Sequence, residues 1–450
     1  MTKTNSTISE SERIYPYFPL QVVNTIEGTI LVHRHQPWWA AINASAVGCV
    51  RQLAGRDGGG MRLRKITVSE ESREEVSEKD VHTFAAQLNA AGLLAATPTV
   101  IPTPRADSLF LHLTEHCNLS CNHCCMDSGP DRHRALSIAT VLRLVDEHIA
   151  LGGHELVLSG GEPLTWPGLD ALLERTHNTG ITVRLLTNGT QLDEQRAHFI
   201  AARVDEVQIS LDGTNAAMHD AIRGPGSFLG ATTGARYLLA AGLPNTHLTF
   251  SAQISSALAT VVESFLILAE QLGAGAVRFL PVRPSGRAAD QGGLQGLSGP
   301  ALADFFDRVH ALKQQWRERL HISSGLSGLG LSNVPQPWCP VGKKLTVTAE
   351  GVVYPCALLM GNTFSLGNIH TQDLATILRG SAYQQVVEKI HRRIDHTPAC
   401  LRCEWRAFCQ GGCVGMALSN AGAINTPEGP CGCRRRWYTD AAARVIASGD

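Results

Sequence analysis

The sequence has little of what secretion or membrane insertion requires. Its N-terminal stretch, MTKTNSTISESER, is polar and lacks the apolar segment of a secretory signal. No apolar run approaches the ~20 residues that a transmembrane helix needs. These absences predict a cytoplasmic protein with no membrane partner. Because cytoplasmic thiols are kept reduced, structural disulfides are not expected.

An excess of either charge is also missing. The 39 Lys and Arg residues nearly balance the 40 Asp and Glu residues, giving a formal net charge of −1. A protein that binds polyanions needs a concentrated basic surface, so no nucleic-acid partner is expected. With 44% hydrophobic residues, the chain can build apolar cores, and its length allows about two to four domains.

Cysteine, in contrast, is abundant. Three of the 13 cysteines follow the spacing C-x3-C-x2-C, as Cys117, Cys121 and Cys124. Three thiolates leave one iron of a four-iron cluster without a protein ligand. Zinc with an exogenous fourth ligand is the alternative that the spacing alone leaves open. The adjacent Cys125 does not fit the trio and is interpreted as a buried or idle thiol.

The middle of the chain, residues 107–320, alternates strand and helix patterns. Such βα units predict a parallel α/β layer, either an open doubly wound sheet or a partial barrel. In both, the chemistry belongs on loops at the carboxyl ends of the strands, and the cysteine trio follows the first strand. The predicted strands are residues 108–114, 154–159, 181–187, 204–211, 247–255 and 276–282.

Short polar motifs follow the next three predicted strands. Residues 159–163 read SGGEP, in which two glycines allow close backbone approach to a ligand and the carboxylate suits an ammonium group. Residues 187–189 read TNG, a tight turn, and residues 210–213 read SLDG, with a hydroxyl and a carboxylate for sugar hydroxyls. Each is ordinary alone, but turns do not explain why all three lie at the same end of one layer.

Together these motifs resemble the radical S-adenosylmethionine (SAM) enzymes. The segment HDAIRG at 219–224 is also similar to a stretch found in relatives with extra clusters. The resemblance implies a partial (β/α)6 TIM-like barrel, with a catalytic [4Fe–4S] cluster on Cys117, Cys121 and Cys124. It implies that SAM binds the fourth iron and is cleaved to a 5′-deoxyadenosyl radical. The residues implied in cofactor binding are His123, Gly160, Gly161, Glu162, Pro163, Asn188, Ser210, Asp212 and Arg223.

The C-terminal block, residues 335–440, is irregular and rich in cysteine, so that metal ligation is expected to stabilise it. The cysteine order resembles the SPASM domain, an auxiliary-cluster extension of radical SAM enzymes. The resemblance implies two auxiliary [4Fe–4S] clusters, one of them with an open fourth ligand: Cys433, a substrate group or water. A zinc-ribbon-like site is the alternative. The implied ligands are Cys400, Cys403, Cys409 and Cys431 for one cluster, and Cys339, Cys356 and Cys413 for the other.

The N-terminal block, residues 15–97, predicts strands at 20–23 and 29–32, and helices at 43–54 and 78–93. This pattern is similar to a small winged-helix domain of the PqqD-like type, in which a leader peptide adds a strand to a sheet edge. Winged helices often bind DNA. However, residues 15–100 hold eight Lys or Arg and eight Asp or Glu, so no basic footprint is present.

The resemblance as a whole implies a radical SAM peptide maturase. Such an enzyme oxidatively modifies or cross-links a ribosomally made precursor peptide bound through its leader, with electrons from a low-potential flavodoxin or ferredoxin. The alternatives are a radical SAM enzyme acting on a protein, as sulfatase maturases do, or on a tetrapyrrole. A redox-sensing DNA-binding regulator is a third alternative, but it gives the GGEP loop no role.

Overall fold

The structure is a computed structural model. It describes residues 20–34, 36, 38–56, 76–91, 93, 105–290, 294–324, 339, 341–361, 363–429 and 431–448. The sequence also predicts two connectors rich in Pro, Gly or Ser, at 97–104 and 323–338; the first lies outside the described residues, as does most of the second. The described strands form two sheets, one of three strands and one of ten. No helix in the described ranges is long and apolar enough to cross a bilayer.

The N-terminal region is a three-stranded antiparallel sheet followed by two helices. Strand β2 is central, and α2 begins after Ser77, whose side chain accepts a hydrogen bond from Asp80 N. One side of the sheet packs with the helices around Leu31, Val50 and Leu88. The predicted strands and helices are confirmed here to within a few residues. The elements are β1 (Leu20–Asn24), β2 (Thr29–His33), β3 (Trp39–Ile42), α1 (Ala44–Arg56) and α2 (Glu78–Ala90).

All six strands predicted in the middle of the chain are present, and they pair in parallel in chain order. They are β4 (Ser108–His112), β5 (Glu155–Ser159), β6 (Thr182–Thr187), β7 (Glu206–Ser210), β8 (Leu248–Ile254) and β9 (Ala276–Pro281). The crossover helices are α3 (Ile138–Ala150), α4 (Leu169–Thr176), α5 (Glu194–Ala201), α6 (Ala216–Arg223), α7 (Ser227–Ala240), α8 (Ser256–Thr260), α9 (Val262–Gln271) and α10 (Gly299–Trp316).

The large sheet continues on both sides of these strands. Strand β10 (His321–Ser324) pairs in parallel with β9, beyond the boundary predicted at 320. On the other side, β11 (Lys344–Val347) pairs in parallel with β4, and the antiparallel strands β12 (Val352–Tyr354) and β13 (Gly367–Asn368) follow. The cysteine-rich block therefore shares a sheet with the α/β layer. The sequence predicts a hairpin turn at Gly351 between strands at 346–348 and 352–354, and the structure confirms it: β11 pairs with β12, and φ of Gly351 is +80°.

Six short to medium helices complete the C-terminal region: α11 (Leu374–Arg379), α12 (Ser381–His391), α13 (Pro398–Leu401), α14 (Arg406–Cys409), α15 (Val414–Ala421) and α16 (Cys431–Ser448). The N-terminal sheet packs directly on this region. Its face opposite α1 and α2 joins an apolar cluster made of Ile30, Val32, Trp39, Trp405, Phe408, Cys409, Tyr438 and Ala442. In addition, Arg34 Nη2 donates to the carbonyl oxygen of Leu401 at 2.6 Å.

Alternation along the parallel strands sorts side chains between two faces. On β4, Leu109 and Leu111 are fully buried in the main core, which the helices cover. The alternate positions of β4 carry Ser108, Phe110 and His112, and β7 likewise places Gln208 between Val207 and Ile209. The face away from the helices therefore carries polar side chains among its residues. Apolar burial stabilises the face that the helices cover, so the opposite face is available to bind a polar ligand.

Candidate functional site

The cysteine trio lies on the loop that leaves β4. Cys117 is 7% exposed and Cys121 is 8% exposed, whereas Cys124 is half-buried. Backbone N–H groups already point at two of the sulfur atoms: Leu119 N is 3.5 Å from Cys117 Sγ, and Ser128 N is 3.3 Å from Cys124 Sγ. Such donors stabilise a thiolate but add little to a neutral thiol.

Burial favours the protonated form of the Cys117 and Cys121 thiols when no metal is bound. It raises the pKa of Cys117 to about 12, and it also raises the pKa of Cys121. A metal centre has the opposite effect and lowers the pKa of the thiols, because thiols that ligate iron are deprotonated. Three neighbouring thiols, two of them buried and two with an N–H donor on the sulfur atom, fit the three-thiolate side of a four-iron cluster.

Gly160 and Gly161 have a packing role that the sequence did not indicate. A Cβ atom at Gly160 would lie 2.5 Å from Thr114 O, and one at Gly161 would lie 2.2 Å from His116 O. Gly161 N donates to Thr114 O at 2.7 Å. The two glycines therefore let the loop after β5 lie directly against the backbone of the cysteine loop. Close approach to a ligand, which the sequence predicted, stays a prediction.

Glu162 follows these glycines and is fully buried. Its carboxylate accepts hydrogen bonds from Thr187 Oγ1 at 2.7 Å, Asn188 N at 2.8 Å and Leu164 N at 3.1 Å. Burial raises the pKa of Glu162, although the three hydrogen bonds oppose the rise. The carboxylate ties the ends of β5 and β6 together, and Pro163 begins a 3₁₀ turn that is capped by the same side chain.

Asn188 connects this tie to the cysteine loop. Its Nδ2 lies 3.0 Å from Asn118 Oδ1 and 3.9 Å from Cys117 Sγ, so that it donates toward a trio sulfur. Its Oδ1 accepts from Thr190 N at 2.9 Å and from Thr190 Oγ1 at 2.7 Å. Both ends of the amide are therefore fixed, and its N–H group can donate to the Cys117 sulfur when that thiol is deprotonated.

A buried ion pair lies at the end of β7. Arg223 Nε donates to Asp212 Oδ2 at 2.5 Å, and Gln253 N donates to Asp212 Oδ1 at 2.7 Å. Burial would raise the pKa of Asp212, but Arg223 and then His123 outweigh burial, and the pKa is below its ordinary value. His123 Nε2 lies 3.2 Å from Arg223 Nη2 and 3.7 Å from Asp212 Oδ2. The trio loop and the strand end thus share one polar network.

The HDAIRG segment is explained by the same network. His219 Nδ1 accepts a hydrogen bond from Asp212 N at 3.0 Å, and Arg223 supplies the guanidinium. Asp220 accepts from Gly226 N and Phe228 N, both at 2.8 Å, and so stabilises the start of α7. Ser210, the last residue of β7, is half-buried and precedes the network by two positions.

Arg287 is a site residue that the sequence analysis missed. Its guanidinium donates to Cys121 O at 2.8 Å, to Ser128 O at 2.6 Å and to Asp127 Oδ1 at 2.8 Å. Its backbone N donates to Cys124 O at 3.0 Å. The sequence leaves two interpretations of the connector 284–298, a mobile lid or an idle loop; in the structure its Arg287 binds the cysteine loop. No local motif indicates this, because the contacts cross about 160 residues of chain.

The C-terminal cysteines form two groups in space. In the first, Cys339, Cys356 and Cys413 influence each other: burial raises the pKa of Cys356 to about 11, and Cys339 adds to the rise. In the second, burial raises the pKa of Cys400 to about 11, and Cys409 and Cys431 add to the rise. Cys403 belongs to this second group through Cys409. The groups are the two sets implied by the resemblance.

Three other cysteines lie apart from these groups. Cys433 is buried near Asp307 of α10, and Arg436 Nη2 lies 3.5 Å from its sulfur. Cys49 lies in α1, and Cys125 lines a cavity described below. In the described ranges no three His, Cys, Asp or Glu side chains meet at the spacing of a single metal ion. An iron–sulfur cluster does not require three side chains around one metal ion, since each thiolate binds a different iron.

Two regions of the chain match known protein families. Residues 111–252, from β4 to β8, match the Radical SAM superfamily. Residues 339–404 match SPASM, an iron–sulfur cluster-binding domain. The first region contains the trio, the GGEP loop and the buried ion pair. The second contains both cysteines of the β11–β12 hairpin and the start of the second thiol group.

Among curated proteins, the chain is similar to the mycofactocin maturase MftC of Mycolicibacterium smegmatis. The two are 28% identical over 345 residues, which is 72% of this chain and 82% of the relative. Among solved structures, anSMEcpe with bound AdoMet and the Cp18Cys peptide gives a TM-score of 0.62 at 18% identity, covering 76% of this chain and 98% of that one. SuiB of Streptococcus suis, bound to its precursor peptide SuiA, gives 0.57 at 14% identity, covering 94% and 99%.

Proposed function

We propose that this chain, a radical SAM enzyme with a SPASM-type iron–sulfur domain, oxidatively modifies or cross-links a ribosomally made precursor peptide. One observation carries the proposal: the N-terminal sheet packs against the cysteine-rich domain through its β2 face, next to the second thiol group. Among the described strands β1 and β3 are the sheet edges. An extended leader peptide can pair with such an edge.

The domain assignment belongs to this proposal. We assign residues 15–97 to PqqD-like peptide recognition, 107–320 to the radical SAM core and 335–440 to the auxiliary-cluster domain. The mycofactocin maturase relative supports a peptide as the substrate. The SuiB structure, which shares the fold over nearly the whole chain, was solved with a precursor peptide bound.

The enzyme contains a SAM-binding [4Fe–4S] cluster and auxiliary clusters, and we assign the first to Cys117, Cys121 and Cys124. When bound and reduced, a cluster held by these residues would supply the electron that cleaves SAM to a 5′-deoxyadenosyl radical, the species that takes a hydrogen atom from the substrate. The protein holds the loop for this purpose by hydrogen bonds from Arg287 and by contact with the two glycines. A fixed loop needs no rearrangement when its ligand binds.

The remaining polar side chains orient the cofactor. Asn188 Nδ2 lies 3.9 Å from a trio sulfur, and we assign this residue to SAM binding. The GGEP segment, Ser210, Asp212, His123 and Arg223 line the same strand ends, and we assign them to SAM binding. Glu162 has three fixed hydrogen bonds, so any contact with the SAM ammonium uses the lone pairs that remain on its oxygens.

The auxiliary clusters are assigned to the two C-terminal thiol groups. Cys339, Cys356 and Cys413 supply only three thiolates, and we propose a substrate group or water as the fourth ligand, because Asp307 and Arg436 are neighbours of Cys433. Clusters held there would supply an acceptor for the second electron, which a substrate radical must lose when a peptide side chain is oxidised. A low-potential flavodoxin or ferredoxin is proposed as the reductant. The predicted cytoplasmic location stays a prediction.

The test co-expresses the full-length enzyme with short peptides encoded beside its gene. The purified enzyme is then reconstituted with iron and sulfide without oxygen and assayed with the same peptides. A mass change in a peptide, together with 5′-deoxyadenosine, supports the proposal. Cys117→Ala should abolish both, whereas Cys49→Ala, in α1, should leave both intact. Turnover of a tetrapyrrole or of a folded protein, but of no peptide, would overturn it. If Cys117→Ala released 5′-deoxyadenosine at the wild-type rate, the assignment of the catalytic cluster to the trio would be wrong.

A further inference from the structure

A cavity of about 440 Å³ lies between the cysteine loop, the end of β4 and the β11–β12 hairpin. His112, Ser128 and Cys125 line it from the barrel side, and Tyr354 and Met360 line it from the cysteine-rich side. Cavities that hold small ligands measure about 300–1,000 Å³. This one has room for one or two amino-acid side chains, and it borders both the trio loop and the hairpin that carries Cys356.

Three buried groups on its wall lack a hydrogen-bond partner among the described residues. They are both ring nitrogens of His112, the hydroxyl of Ser128 and Nε of Arg283. His112 is 6% exposed and Ser128 is 3% exposed. A buried polar atom without a partner costs about 1–3 kcal/mol. Several such atoms around one cavity indicate that a bound ligand supplies the missing partners.

The charge on the wall favours an anion. Arg283 donates through Nη1 and Nη2 to two main-chain carbonyls, Ala357 O at 3.1 Å and Met360 O at 3.2 Å, so its positive charge is held in place but not neutralised by them. The two carboxylates at the rim are engaged elsewhere, since Glu350 and Glu115 both pair with Arg134.

His112 contributes a donor rather than a second charge. Burial, and then Arg283, lower the pKa of His112 to about 4. A neutral imidazole keeps one N–H donor and one acceptor. With the Ser128 hydroxyl and Arg283 Nε–H, the cavity therefore offers three donors around one positive charge. Phe110, whose ring centroid lies 5.1 Å from that of His112, helps to fix the imidazole.

We propose that this cavity binds a carboxylate of the substrate peptide, through Arg283, His112 and Ser128. The inference rests on the proposed function, because it names the peptide group that reaches the site. A carboxylate presents about four lone pairs, enough for all three donors, and pairs most strongly with guanidinium. The C-terminus of a peptide and an Asp or Glu side chain share this chemistry, and the experiment separates them.

The experiment measures binding of small probes to the full-length, reconstituted holoenzyme with SAM, by ligand-observed NMR. N-acetylglycine carries a main-chain carboxylate, and N-acetylaspartate α-methylamide carries a side-chain carboxylate. N-acetylglycinamide is the neutral control. Both carboxylates should bind at least about tenfold more tightly than the amide. Whichever of the two binds more tightly identifies the source of the carboxylate in the peptide.

Single-residue variants connect the binding to these side chains. Ser128→Ala removes only the hydroxyl and retains the backbone N–H that points to Cys124 Sγ. It should weaken carboxylate binding about 5- to 10-fold, and His112→Phe should do the same. Arg283→Gln should weaken it more than tenfold. Arg317→Gln is the matched control, because that side chain is 72% exposed on the surface.

Folding is checked by the iron content of each variant. If Arg283→Gln loses iron, Ser128→Ala still decides the question, since it leaves the main-chain contacts of Arg283 untouched. Equal binding of the amide and the acids, or unchanged affinity in Ser128→Ala, overturns the proposal. So does a loss of SAM affinity with no loss of probe affinity, which would assign the cavity to the carboxylate of the cofactor.

These outcomes are separate from those of the proposed function. If the holoenzyme binds carboxylate probes as expected but modifies no peptide, the subsite stands and peptide maturation fails. If it modifies a peptide while Ser128→Ala and His112→Phe bind every probe normally, the function stands and the subsite fails.

Discussion

Replacing Asp212 with asparagine tests whether the buried ion pair holds the strand end next to the trio in place. The carboxylate is 1% exposed, and its two strong contacts are Arg223 Nε at 2.5 Å and Gln253 N at 2.7 Å. Asparagine keeps an oxygen for Gln253 but leaves the buried guanidinium without a counter-charge. Removing one member of a buried pair costs about 3–5 kcal/mol.

Hydrogen exchange in the full-length protein measures this cost locally, which avoids treating a multidomain chain as a two-state system. Amide protection in peptides from β7 and β8 should fall by about 10²- to 10⁴-fold, the equivalent of 3–5 kcal/mol. Asp170→Asn is the matched control: its carboxylate is 58% exposed and pairs with Arg196 at the surface. Its loss should be below about 1 kcal/mol.

The reasoning is refuted by either of two results. A loss of less than tenfold in Asp212→Asn would mean that Arg223 is hydrated or finds another partner. The second result concerns the double variant Asp212→Asn with Arg223→Met. Because this variant removes the uncompensated charge, it should regain much of the lost protection. Protection lower than in the single variant would show that the pair does not act as one unit.

Three further predictions concern the trio loop and pH. Arg287→Ala removes the three guanidinium contacts to the loop. It should reduce iron at the first cluster while the auxiliary clusters stay filled, as read by iron content and electron paramagnetic resonance; Arg287→Lys should restore part of it. Gly161→Ala places a Cβ 2.2 Å from His116 O and should give the same loss. Gly432→Ala should not lose iron at the first cluster, because a Cβ atom there meets nothing within 4 Å. Equal iron content in Gly161→Ala and Gly432→Ala would contradict the packing argument. Burial lowers the pKa of both His112 and His219 to about 4, from an ordinary value near 6.5. The unfolded chain therefore binds more protons between those pH values, and the free energy of unfolding should fall as pH drops from about 6.5 to about 4. His219→Gln should reduce that slope in amide-exchange measurements, and an unchanged slope would show that His219 is not the group responsible.

Much of the fold follows from local pattern. The six parallel strands and the hairpin at Gly351 are marked by apolar alternation and by breaker residues, and each lies close to its predicted range. Strand β10 was not predicted, because its sequence HISS opens a glycine- and serine-rich stretch and carries one large apolar residue. Its position depends on pairing with β9, which is a property of the sheet and not of the segment.

The site is predictable to the extent that chain spacing encodes it. The trio follows a short C-x3-C-x2-C spacing, whereas the members of the two C-terminal thiol groups are identified from their resemblance to the SPASM domain. Arg287 and Arg283 could not be named from sequence, because each acts on partners more than 70 residues away through a guanidinium that has no local signature. His112 is similar: as one polar residue on an apolar strand it gives no sign of the cavity, which the β11–β12 hairpin completes.

The GGEP segment shows that one motif can satisfy two requirements. From sequence, its glycines predict close approach to a ligand, yet the structure places their Cα atoms against the backbone of residues 114–116. Glu162 is likewise fixed by the ends of β5 and β6. A side chain at either glycine would displace the trio loop before it met a cofactor. Loss of activity in such variants therefore does not by itself identify a cofactor contact, and cluster content must be measured alongside SAM affinity.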